Sequence, residues 1–147
     1  MTRPAPYERN RFNVFMPLQT RWADNDIYGH MNNVVHYALF DTAVNEWLID
    51  QGLLDIENSS QIGLVVETGC HYFAELAFPD KIEAGIGIEH IGSSSVIYRV
   101  ALFREGEDKA AAQGRFVHVY VDRKSRKPMP LPDNWTKAMR PLLLELT

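Results

Sequence analysis

A single cysteine, Cys70, stands among 147 residues. That excludes an intramolecular disulfide framework and multi-cysteine zinc sites, and it suits a reducing compartment, so a cytoplasmic location is expected. No run of about 18 apolar residues occurs, and the opening MTRPAPYERN is polar and carries two prolines. Neither a spanning helix nor a secretory leader is expected, and a membrane is not an expected partner. Basic residues do not dominate either. Fifteen Lys and Arg against nineteen Asp and Glu give a formal charge of −4, which argues against duplex nucleic acid or an anionic surface as the main partner. His30, His36, His71, His90 and His118 lack His-x-x-x-His spacing, and there is no Gly-rich phosphate fingerprint. No metal and no bound cofactor is expected.

What is present suits one domain over 1–147. Hydrophobic residues make up 46% of the chain, enough for a packed core. Between Phe12 and Trp22, Val14, Met16, Leu18 and Thr20 share one parity, which predicts a first strand. ADNDIYGHMNN breaks the periodicity with residues that bond their own backbone or accept positive φ, so it reads as a loop. Val34 to Gln51 follows a helical period through Val34, Tyr37, Ala38, Val44, Trp47 and Leu48, with Asn32 or Asn33 as N-cap and Gly52 placed to stop it. Val35, Leu39, Phe40 and Ile49 widen the apolar stripe, which predicts a mostly buried helix.

Gly63 to Phe78 is too β-branched and aromatic for a second helix and reads as a long strand ended by Pro79-Asp80. Ile82, Ala84, Ile86 and Ile88 alternate within a strand from Lys81 to Ile91. Val96, Tyr98, Val100 and Leu102 mark the next strand, and Val117, Val119 and Val121 a further one. Within 133–147 a short helix can start at Asp133, with Pro141 kinking or shortening it. The tail 1–11 and Asp55 to Gln61 look linker-like. The order predicts an α+β fold: an antiparallel five-stranded sheet wrapped around one long central helix.

Asp24 and Asp26 lie in the loop that runs into the long helix, followed by His30 and Asn33. A helix amino terminus offers unpaired N–H groups and a positive dipole end, which can polarise a carbonyl. A carboxylate beside it can attack that carbonyl or activate water. The same residues would also serve an ordinary turn, bonding their own backbone. Along the long strand Glu67, His71, Phe73 and Glu75 share one parity and would line one side if no bulge intervenes, offering Glu67 or Glu75 as a second carboxylate. His71 faces away from Cys70, so the thiol has no local base and reads as structural. Arg123, Lys124 and Arg126, with Lys127, form a basic turn, and Arg115 precedes them. They can hold phosphates or simply be solvated.

The segment RWADNDIYGHMNNVVHYALFDTA resembles the corresponding part of the hotdog-fold acyl-CoA thioesterases of the 4-hydroxybenzoyl-CoA thioesterase type. It joins Asp-x-Asp-x-x-Gly-His-Met-Asn-Asn to Tyr37 and the start of the helix, and the strand order is similar along nearly the whole chain. The resemblance implies a hotdog fold and hydrolysis of acyl-CoA, with CoA entering as part of the substrate. It puts the catalytic carboxylate on Asp26 and leaves Asp24 to shape the loop. By position the oxyanion donor is the backbone N–H of Asn33 or Val34. The plant acyl-carrier-protein thioesterases carry a similar Asp-x-Asn-x-His motif; here Asp26 and His30 match it while Tyr28 replaces the asparagine. HYFAEL resembles the place where those enzymes supply a glutamate, which falls on Glu75. Tyr28 and Tyr37 flank the motif as candidate substrate contacts, and Ser94 resembles a hairpin serine near the nucleotide in some relatives.

The resemblance also implies a homodimer or homotetramer. Two other activities are compatible with it: hydration or dehydration of acyl thioesters, and non-catalytic acyl-CoA binding. The roughly eleven residues before the first strand are too few for a helix-turn-helix, so a DNA-binding regulator is not expected.

Overall fold

The computed structural model describes residues 3–145. In chain order the elements are β1 (Val14–Gln19), α1 (Asn33–Asp50), β2 (Gln61–Tyr72), β3 (Lys81–Ile91), β4 (Ser95–Arg104), β5 (Ala112–Asp122) and α2 (Asp133–Met139). The strands form one antiparallel sheet in the order β1-β3-β4-β5-β2. Period-two patterning sets its inner face: Ile82, Ala84, Ile86 and Ile88 of β3 and Val96, Tyr98, Val100 and Leu102 of β4 are at most 1% exposed. Met16 and Leu18 extend this face into β1, while α1 adds Leu39, Phe40, Ala43, Val44, Trp47 and Leu48. At the closest approach, a Cβ on Gly114 would lie 2.3 Å from Phe40 Cε2 and 2.7 Å from the Gly69 carbonyl oxygen. Glycine there lets the helix settle onto β5.

Several expectations need correction. The helix starts and stops where its signals place it, with Asn32 as N-cap and Gly52 at φ +72°. It is not mostly buried, however. One stripe faces the sheet, and Val34 and Ile49 remain 66% and 42% exposed because nothing among the described residues covers the opposite side. A second helix, α2, also packs on the core through Trp135 and Met139, and a 3-10 turn, Arg140–Leu142, ends it at Pro141. The helix expected within 133–147 is therefore short.

The long strand ends at Tyr72 rather than Phe78. Phe73 and Ala74 both donate their N–H to the Ala111 carbonyl, which turns the chain out of the sheet. A bulge between Val65 and Glu67 further resets its register. In β5 the residues within the main core are Phe116 and Tyr120, of opposite parity to the valines the sequence emphasises. The amino-terminal segment is not a linker: Arg9 N–H donates to the Asp108 carbonyl, and Phe12 packs with Ala101, Phe103 and Ala110 on the outer face of the sheet.

Candidate active site

The loop between β1 and α1 is built by its own polar residues. Asp24 is 2% exposed and anchors it. Its carboxylate accepts from Arg21 N–H at 2.8 Å and from the Arg21 guanidinium at 2.7 and 3.0 Å. Asp26 Oδ1 accepts from Tyr28 N–H at 2.8 Å, an Asx turn. Gly29, at φ +85°, donates to the Asp26 carbonyl, and the Asp26 N–H donates to the His30 carbonyl. This small ring of bonds presents the second carboxylate oxygen to His30, whose Nδ1 lies 3.4 Å from Asp26 Oδ2. Tyr28 stacks on that imidazole, centroids 6.2 Å apart.

The segment from Phe73 to Asp80 forms the facing wall. Met31 N–H donates to the Leu76 carbonyl, Phe78 N–H donates to Asn25 Oδ1, and the Arg104 guanidinium donates to the Glu75 carbonyl. The loop and the wall are thus tied together through Met31 and Asn25, and β4 braces the wall through Arg104. Between them lies a cleft of about 560 Å³, lined by Asp26, Tyr28, His30, Asn33, His36, Tyr72, Phe73 and Glu75, among others.

At the start of α1, Asn32 Oδ1 accepts the Val34 N–H at 3.0 Å and its carbonyl accepts the Val35 N–H. The Val34 donor is therefore spent on the cap. The Asn33 N–H has no hydrogen-bond partner among the described residues and sits at the positive end of the helix.

Of the residues singled out from the sequence, Asp26, Tyr28, His30, Asn33 and Glu75 share this cleft. Glu67 does not; it pairs with Arg115 across the strands at 2.5 Å. The Val34 side chain points to solvent. Tyr37 packs its ring edge-on against Phe40 and is not among the residues that line the cleft. Arg123 donates to the Ser59 and Ile56 carbonyls, bracing the stretch that looked linker-like. Lys124 and Arg126 belong to a turn held by Asp122, whose carboxyl lies below its ordinary range because backbone N–H groups of Ser125 and Lys124 bond it. Ser94 gives its carbonyl to Tyr120 N–H. The basic turn follows Asp122, which pairs with Gln61, whereas Tyr72 pairs with Ala112. At about 3.3 Å per residue that is roughly 30 Å from the cleft, so within one chain these groups do not meet the substrate end.

Two lining residues carried no signal in the loop motif. His36 is 3% exposed on the first turn of α1, and Tyr72 closes β2. The helical period could have found the first, since it puts His36 on one stripe with Leu39, Phe40 and Ala43. Burial pushes the nearby Cys70 thiol up to about 11, so it is a thiol and not a thiolate at neutral pH. Among the described residues no group of three or more His, Cys, Asp or Glu side chains is placed to hold a metal ion, and no helix is long and apolar enough to cross a membrane.

A mixed five-strand and helix architecture with a carboxylate set beside a helix start defines the class, and comparison with known proteins agrees. Residues 20–139 match the family model of the thioesterase-like superfamily. The PA5185 protein from Pseudomonas aeruginosa is 50% identical, with a TM-score of 0.93 over 98% of this chain and 100% of that one. Slr0204 of Synechocystis, a 1,4-dihydroxy-2-naphthoyl-CoA thioesterase, shares the fold at 19% identity and a TM-score of 0.75, covering 85% of this chain and 93% of its own. BH1999, a gentisyl-coenzyme A thioesterase, does so at 20% identity and 0.76, covering 86% and 99%. The chain belongs to the thioesterase-like superfamily.

Proposed function

We propose that the protein hydrolyses an acyl-CoA thioester to the free acid and CoA in this cleft. The observation that carries the reading is that the Asp26 carboxylate and the start of α1 line the same cavity. The acyl carbonyl lies with its oxygen toward the Asn33 N–H, where the helix dipole stabilises the charge that develops on attack. Asp26 serves as nucleophile, giving a mixed anhydride that water opens, or as general base on water. In either course one water is consumed: its oxygen enters the acid, one of its protons ends on the departing thiolate, and the other is released as the acid ionises at neutral pH. Because a thiol has a pKa near 8.5, the sulfur leaves without a dedicated acid. His30 holds the free oxygen of Asp26 in place, and Glu75 stands on the opposite wall.

Family membership supports the activity class. The assignment of Asp26 is tested by Asp26→Asn, which keeps an oxygen to accept from Tyr28 N–H and so spares the turn while removing the charge. Release of free thiol from acyl-CoA should fall by a factor on the order of 1,000. Near-full turnover in this variant would defeat the assignment.

The functional unit is a homodimer joined along β2. That strand is a sheet edge, twelve residues long, with Leu64, Val65 and Val66 exposed at 40%, 47% and 59%. The other edge, β1, has six residues and carries Pro17, a combination that resists strand addition. One free cysteine suits a cytoplasmic setting.

A further inference from the structure

The reaction as drawn leaves one buried imidazole of the cleft without a part. His36 lines the cavity that Asp26 shares. Its Nδ1 lies 3.2 Å from the Asn33 carbonyl oxygen. A carbonyl only accepts, so Nδ1 carries the proton and Nε2 keeps its lone pair. The Tyr72 hydroxyl donates to the same carbonyl at 3.1 Å, which as the carbonyl of the first helical residue also takes the Tyr37 N–H, so that oxygen has no room for a further donor. Tyr72 also meets the imidazole edge-on, centroids 4.7 Å apart at 84°, and fixes the plane of the ring. Burial lowers the His36 pKa against the opposing pull of the Asn33 and Asn32 carbonyls, so the ring is neutral at physiological pH.

Nor is the lone pair engaged by any side chain or carbonyl among the described residues. Among the described residues the one side-chain polar atom both fully buried and unpartnered belongs to His118, not His36. His36 lines the cleft, and Nε2 is its acceptor without a hydrogen bond among the described residues.

We propose that His36 determines specificity by accepting a hydrogen bond at Nε2 from a hydroxyl on the acyl group, so that hydroxyacyl thioesters are favoured over their deoxy counterparts. This rests on the hydrolase reading of the same cleft. A hydrocarbon group placed there strips water from the lone pair and returns nothing, whereas a hydroxyl satisfies it. The Asn33 carbonyl is saturated and cannot take over. Hydroxylated aromatic acids and aliphatic 3-hydroxy acids share this chemistry, and matched substrate pairs separate them.

Wild-type protein and His36→Phe are compared on the three hydroxybenzoyl-CoA isomers against benzoyl-CoA, and on 3-hydroxybutyryl-CoA against butyryl-CoA. Both kcat/KM and binding of the corresponding non-hydrolysable thioethers are measured. Wild type should prefer the hydroxylated member of at least one pair by about tenfold. His36→Phe keeps a ring against Tyr72 and should erase that preference, read as the ratio of the hydroxylated to the deoxy member both in kcat/KM and in thioether binding. Thermal melts establish folding, and His36→Leu is used in place of the aromatic variant should that one not fold. Absence of a preference in every pair, or a preference that survives loss of the imidazole, overturns the proposal. Selective thioether binding by wild type, lost in the variant and without any thioester cleavage, would sink the hydrolase reading and uphold this one.

Discussion

Asp24 and Asp26 are the same side chain two positions apart, and their neighbours separate them. Three bonds from Arg21 engage both oxygens of buried Asp24, whereas Asp26 keeps an oxygen that faces His30 and the cleft. Asp24→Asn should therefore lower stability by about 1–2 kcal/mol, read by urea denaturation, and leave kcat within about threefold. His118 behaves differently again. It is 2% exposed, its Nδ1 lies 3.2 Å from the Tyr120 hydroxyl, and Nε2 has no partner. Burial holds its pKa at about 4 against an ordinary 6.5. Between those values the unfolded chain binds a proton that the folded chain refuses. Stability should thus be full above pH 6.5 and decline toward pH 4, by about 3 kcal/mol in all. Urea midpoints measured across that range check it, and a flat profile would contradict the assignment.

At the level of elements, the start of α1 depends on Asn32. Asn32→Ala removes the acceptor from Val34 N–H and should cost about 1 kcal/mol, seen as a lower thermal midpoint. Gly114→Ala places a methyl group into Phe40 and, less forgivingly, against the Gly69 backbone. It should destabilise by about 1–3 kcal/mol and can be followed by the same melts. These elements were largely legible in the sequence because caps, glycine stops and period-two alternation are local signals. Lys81–Ile91 reads straight from its isoleucines. Asp26, His30 and Asn33 were legible for a related reason: a loop of polar residues at a helix start stands out from its surroundings. The fate of Glu67 was not, since Arg115 is 48 positions away and pairing across strands has no local trace. The turn at Phe73 escaped notice similarly, because it depends on the Ala111 carbonyl, and His36 was hidden by being a polar residue on an apolar stripe.

For the molecule as a whole, the two borders of the sheet are unequal. Val66→Lys places a charge on the open β2 border, with its partner's copy close by if two chains join there. The variant should shift from dimer toward monomer in sedimentation velocity, and thiol release should fall with it, while the unchanged circular dichroism spectrum shows the protomer intact. A variant that stays dimeric and active would place the contact elsewhere. The inequality also limits growth. A body with one receptive margin and one blunted by a short, proline-bearing strand can accept a single neighbour and is then exhausted, so crowding should yield discrete particles instead of filaments.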